Sequence, residues 1–135
     1  YAYGAVQNRS DARDKADVTD TVLGLDFICA LRPVDFRLDM RDFYRTGTQK
    51  LSEVTPDGSK KRSRKHHGLI AQEVKTVMDQ LGVDFGGYQN HAIAGGDDVL
   101  SLGYEELIAP MIKAMQEMRA EITALKNQIN TLSGV

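Results

Sequence analysis

Ser10-Asp11-Ala12-Arg13-Asp14-Lys15 sets a hydroxyl and a primary amine in one short charged segment near the start of a 135-residue chain. A serine hydroxyl is a weak nucleophile until a base takes its proton. A lysine amine is such a base when burial or nearby cations hold it neutral. Ser10 and Lys15 are therefore a candidate nucleophile and general base. Asp11 and Asp14 oppose this chemistry unless other cations engage them, and Arg13 is expected to bridge one of the two. Segments this charged also occur as plain solvated loops, so the pair gains weight only from motifs later in the chain.

Other groups with chemical potential are scattered. His91, Asp97 and Asp98 fit no metal-ligand spacing, and a glycine-rich turn accounts for the aspartates, so no metal is expected. The run Lys60-Lys61-Arg62-Ser63-Arg64-Lys65-His66-His67 reads as a solvated returning strand whose cations block edge pairing. A phosphate- or nucleotide-binding patch is its sharper reading. Without interleaved aromatics and with a net charge of −2, a nucleic-acid partner is not expected. Cys29, in the apolar run Phe27-Ile28-Cys29-Ala30-Leu31, is expected to be buried and inert.

A composition of 41% hydrophobic and 27% charged residues is ordinary for a globular chain. No apolar run approaches the roughly 18 residues a membrane span needs, so no membrane partner is expected. The first residues show no basic stretch followed by an apolar core, and no Met opens the chain. It reads as a fragment or processed piece of a longer parent.

The elements that must carry these groups form an expected α+β fold, a small mixed domain with two short helices, an extended hairpin arm and a long C-terminal helix. Residues 1–9 alternate briefly and resemble the end of an upstream strand. Val18, Val22, Leu25, Ile28 and Leu31 recur at three and four, which predicts an amphipathic helix capped at Asp17 or Thr19 and stopped by Pro33. Val34 to Met40 alternates apolar and charged residues, a half-buried strand with Val34, Phe36, Leu38 and Met40 inward. Residues 40–67 then read as a long hairpin arm, turning at Thr55-Pro56-Asp57-Gly58. Ile70, Val74, Val77, Met78 and Leu81 predict a second helix, ended by Gly82. Two short strands are expected near 83–90 and 98–102.

From Ile108 the pattern tightens. Ile108, Met115, Ile122 and Ile129 occupy heptad position a, and Met111, Met118, Leu125 and Leu132 occupy d. So narrow a stripe favours self-association over packing on the chain's own body. Glu121 at g and Lys126 at the next e favour parallel chains. Pro110 places the helix start, or a kink, close to itself. Ile at a with Leu at d favours two strands in model peptides, so the pattern by itself leaves the number of copies open.

Three landmarks stand in order: Ser10-Asp11-x-Arg13-x-Lys15, Gly68-Leu69-Ile70-Ala71-Gln72-Glu73-Val74, and Tyr104-Glu105-Glu106-Leu107 opening the heptad helix. With the strand opening Leu31-Arg32-Pro33-Val34-Asp35-Phe36, they resemble the C-terminal intramolecular chaperone domain of phage endosialidases, tail fibres and neck appendages. The resemblance implies a parallel homotrimeric coiled coil over residues 104–135 and a chaperone domain over 10–103. Residues 1–9 would end the upstream fibre passenger, which is the partner in cis. It implies templating of that passenger's fold, then self-cleavage between Arg9 and Ser10, with Ser10 as nucleophile and Lys15 as base. Gln72 and Glu73 become candidates for orienting the site or lining its oxyanion region, or they simply cap their own helix. No cofactor is required, although some relatives couple cleavage to a nucleotide. The implied location is the host cytoplasm during virion assembly, with release from the mature particle after cleavage.

Overall fold

The computed structural model describes residues 3–134. Among these described residues seven regular elements follow one another: α1 (Leu25–Ala30), β1 (Val34–Arg37), β2 (Lys65–Gly68), α2 (Ala71–Leu81), β3 (Tyr88–Asn90), β4 (Leu100–Leu102) and α3 (Ile108–Leu132). The mixed α+β class is as the residue pattern predicts. The strands make two separate antiparallel pairs. In one, Val34 lies opposite Gly68 and Arg37 opposite Lys65. In the other, Tyr88 lies opposite Leu102 and Asn90 opposite Leu100.

Helix α2 forms where its periodicity puts it. Val74, Val77 and Met78 are buried along one face, Ile70 and Leu81 sit at its partly exposed margins, and Gly82 ends it at φ 64°. That left-handed backbone suits glycine, which has no Cβ to clash. Those buried residues join Leu23, Phe27 and Phe85 in the core. The Phe27 and Phe85 rings pack at 5.3 Å between centroids.

Helix α1 is much shorter than the apolar spacing of Val18 to Leu31 predicts. Asp17 takes a left-handed φ of 54°, and Gly24 sits outside helical space at φ −140°, ψ −138°. Val18 and Val22 are exposed, and neither Asp17 nor Thr19 caps the helix. A long-range contact sets the start instead: the Leu25 N–H donates to Glu117 Oε1 of α3 at 3.2 Å. A Cβ at Gly24 would collide with the same carboxylate. Cys29 is exposed rather than buried, because this short helix buries only Phe27.

The arm is not the continuous hairpin that alternation predicts. Its ladder covers only β1 and β2, extended by Arg62 N–H donating to Leu38 O at 2.8 Å. Phe36 and Met40 remain substantially exposed. Between the strands, two 3₁₀ turns, Arg41–Phe43 and Leu51–Glu53, break the extended path. Polar and cation–π contacts replace the ladder. Asp39 accepts from the Tyr44 hydroxyl and from Gly58 N–H, and Tyr44 accepts from Lys60 N–H. The Arg62 guanidinium lies 4.4 Å from the Phe43 ring centroid. Gly58, at φ 87°, makes the turn expected near Asp57. The described part of residues 1–9 carries no strand, and Tyr1 and Ala2 lie outside the described residues.

Strands β3 and β4 are shorter than 83–90 and 98–102, and the 3₁₀ turn His91–Ala94 follows the first. The aspartates after it serve as counterions for the arm. Arg41 reaches Asp98 Oδ2 at 3.5 Å, and Arg45 reaches Asp97 Oδ1 at 3.8 Å. The His91 ring contacts Ser101 Oγ at 2.8 Å. Among the described residues no cluster of metal-ligating side chains forms. Among them, too, no helix is long and apolar enough to cross a membrane.

Helix α3 follows the 3₁₀ turn Tyr104–Leu107. Pro110 falls in its first turn, where the missing N–H would have had no helical partner. Pro110 and Ala114 are buried, and Lys113 Nζ donates to Thr21 O. The seam side chains are different. Ile108, Met111, Met115, Met118, Ile122, Leu125, Ile129 and Leu132 are between 42% and 88% exposed, uncovered by the chain's own body.

Candidate active site

The segment from Ser10 to Lys15 is wound by its own backbone. Asp11 caps a 3₁₀ turn, Ala12–Asp14, accepting from Arg13 N–H through its side chain. The Asp14 N–H returns to Asp11 O at 3.0 Å and the Lys15 N–H to Ala12 O at 3.2 Å. This turn folds Lys15 back over Ser10, and Lys15 Nζ donates to Ser10 Oγ at 2.7 Å. A neutral amine at the same separation is within reach to accept the hydroxyl proton.

Both opposing carboxylates are occupied elsewhere. The Arg13 fork grips Asp11 through Nε at 3.0 Å and an Nη at 2.7 Å. That hydrogen bonding holds the Asp11 carboxyl below the usual carboxylate range. Asp14 faces Arg9 Nε at 3.8 Å. Among the described residues, Ser10 Oγ is the one hydrogen-bond partner of the Lys15 amine. Ser10 and Lys15 are both exposed, so the single chain does not itself exclude water from the pair.

Gln72 and Glu73 are not joined to this turn. Arg32 takes Glu73 through two bonds of 2.7 Å, closing a shallow pocket between α1 and α2. The Gln72 carbonyl accepts from Thr76 Oγ1 at 3.1 Å. No hydrogen bond links either side chain to residues 10–15 among those described. Their position in the resembling motif puts both at the start of α2, but the Glu73 carboxylate meets a planar guanidinium from the strand opening first. His67 pairs with Asp35 across the β1–β2 ladder at 2.6 Å, and the His66 ring lies near Phe36.

Arg32 holds the Glu73 carboxyl below its usual range by hydrogen bonding and by charge. A depressed folded value stabilises above the unfolded carboxylate range and is lost as pH falls through the lowered folded value. The melting-temperature gap between the native chain and Glu73→Gln should therefore be full at neutral pH and close below about pH 4. A gap that is unchanged in acid would exclude this pair as its source.

Two of the ordered landmarks touch. The Tyr104 hydroxyl accepts from Leu69 N–H at 3.1 Å. A Cβ at Gly68 would stand 2.5 Å from that hydroxyl oxygen. Glycine at 68 and tyrosine at 104 thus form one packing unit, a dependence that spacing in the chain could not reveal. Gly68→Ala is expected to cost about 1–3 kcal/mol of stability through overpacking, read from denaturant midpoints. The cost should shrink in a Tyr104→Phe background, where the clashing oxygen is gone.

A peptidase-family model described as "chaperone of endosialidase" matches residues 10–83. The chain belongs to this endosialidase-chaperone family. The match opens on Ser10 itself and takes in the Ala12–Asp14 turn, α1, the arm and α2. Helix α3 lies beyond the matched span, so its role in the endosialidase-chaperone domain rests on its own residues. No curated protein matches the chain.

Proposed function

We propose that the chain is an intramolecular chaperone that assembles through α3 as a parallel homotrimer. In this reading it templates the fold of an upstream phage fibre or spike domain, and then cuts itself free between Arg9 and Ser10. The observation that carries the reading is the 2.7 Å contact of Lys15 Nζ with Ser10 Oγ, at the residue where the family match begins.

The chemistry uses only groups of this chain and water. Ser10 Oγ adds to the Arg9 carbonyl carbon while its proton passes to Lys15 Nζ. The C–N bond breaks as that proton moves on to the Ser10 nitrogen, leaving Arg9 as an ester on Oγ. Water hydrolyses the ester, giving the Arg9 carboxylate, the restored hydroxyl and a new amino terminus at Ser10. The amine must be neutral for the first step, and the exposed pair lacks burial in one chain. Packing against sibling chains would supply the missing desolvation, which links cutting to completed assembly.

The uncovered seam supports the assembly half of the reading. An open apolar groove of about 630 Å³ runs up to Met111 and is lined also by Ile28, Leu31, Pro33 and Leu107, extending the greasy surface beyond α3. Aligning three passenger ends raises their local concentration, which matters because non-local strand pairing is slow and aggregation-prone. Cleavage after folding removes the template and leaves the product kinetically trapped. The expected setting is the host cytoplasm during virion assembly, with the domain released from the mature particle.

Intact mass and sedimentation of the purified chain test both halves. Three copies and loss of residues 1–9 are expected. Three copies with residues 1–9 retained indefinitely would instead mark a non-cleaving trimerisation or adhesion module.

A further inference from the structure

The local turn sets the distance from Ser10 to Lys15 and meets the Arg9 side chain through the 3.8 Å ion pair of Asp14, but among the described residues no hydrogen bond holds the carbonyl that must be attacked. That carbonyl belongs to Arg9, on the acyl side of the bond. Among the described residues upstream of Ser10, one hydrogen bond is made: Asn8 Nδ2 donates to Glu105 Oε2 at 2.6 Å. Glu105 stands in the 3₁₀ turn Tyr104–Leu107 that leads into α3. Downstream of the dyad, Thr21 O accepts from Lys113 and the Leu25 N–H donates to Glu117. The segment bearing Ser10 and Lys15 is thus suspended between attachments to the 3₁₀ turn Tyr104–Leu107 and to the first turns of α3 that follow it.

We propose that Glu105 is a positioning residue for self-cleavage. Its carboxylate holds the Asn8 amide, fixing the backbone one residue before Arg9 so that the acyl carbon stays over Ser10 Oγ. The proposal rests on the self-cleavage reading above. Glu105 touches no reacting atom, and its effect is on approach geometry, where small displacements have large kinetic consequences. The contact also fastens the acyl side to the foot of the seam helix, so the scissile bond and the assembly surface share one support. It is a single exposed bond, weak enough for residues 1–9 to leave once the chain is cut.

The test uses the 135-residue chain, with cleavage followed by intact mass and assembly by sedimentation. Asn8→Asp sets two carboxylates face to face and should slow cleavage roughly ten- to a hundredfold without changing the number of copies. Glu105→Ala should slow it similarly. Glu105→Gln alone should do little, because its amide oxygen still accepts from Asn8. Combining Asn8→Asp with Glu105→Gln exchanges donor and acceptor and should recover most of the native rate. A slow single variant that the exchange does not rescue would overturn the positioning role. Native-rate cleavage in both Asn8→Asp and Glu105→Ala would overturn it too, with the self-cleavage reading intact. If the native chain keeps residues 1–9 as fully as Ser10→Ala does, the reading itself falls and takes the role of Glu105 with it.

Discussion

Ser10→Ala is expected to retain residues 1–9 under every condition in which the native chain loses them, and Lys15→Ala is expected to slow that loss by about two to four orders of magnitude. The first change removes the only atom that can carry the acyl group, so no slower version of the same route survives it. The second removes the proposed base, and a positioned base typically contributes about 10²–10⁴-fold. Lys15→Arg separates two roles for the amine. A guanidinium can still donate to Ser10 Oγ, but it does not deprotonate in proteins. If Lys15 is the base, Lys15→Arg cleaves as slowly as Lys15→Ala. If Lys15 only orients the hydroxyl, Lys15→Arg stays close to the native rate and the base assignment is wrong. Time courses of intact mass on folded protein give all three rates. Asp11→Ala provides a further check. It removes the turn cap and frees Arg13 together, so it should slow cleavage less than the loss of the base while leaving assembly unchanged.

Legibility in the sequence followed how local the deciding contact was. The Ser10–Lys15 contact is set within six consecutive residues by their own backbone turn, so residue types alone could point to that pairing as a candidate. Helix α2 and the start of α3 near Pro110 were legible for the same reason. The short strand pair after Gly82 was marked by glycine and aspartate turns. Helix α1 was not, because its start depends on Glu117, 92 residues away from Leu25, and on a left-handed Asp17. Apolar spacing alone extended it over Val18 and Val22, which no partner covers. The arm misled for another reason. Alternation describes a strand, but Asp39, Tyr44 and Lys60 form a polar knot that costs the ladder its continuity. Motif position makes Glu73 a site candidate, but the guanidinium that claims it comes from 41 residues upstream. The Asn8–Glu105 tether joins residues 97 apart and left no trace in spacing.

Charging the seam is the second large effect. Ile122→Asp combined with Leu125→Asp should turn an assembled chain into a single copy at micromolar concentration and stop cleavage with it. Each buried aliphatic side chain contributes about 1.5–3 kcal/mol to burial, and each is present once per chain in the bundle. The substitutions remove that gain and place like charges where water is excluded, at several kcal/mol per ion. The chain's own body is spared, because α3 meets it through Pro110, Ala114, Lys113 and Glu117, all before Met118. Beyond that point α3 is a free rod, and an isolated helix of such length is marginal in water. Circular dichroism should therefore lose helical signal along with the shift in sedimentation, while the Phe27–Phe85 core persists. Asn127→Asp, at the outward heptad position f, adds a charge without entering the seam and should change neither. If the doubly charged chain still sediments as several copies, the seam is not what joins them. If the native chain is a single copy with α3 fully helical, assembly cannot be what desolvates Lys15, and the coupling between templating and cutting is lost.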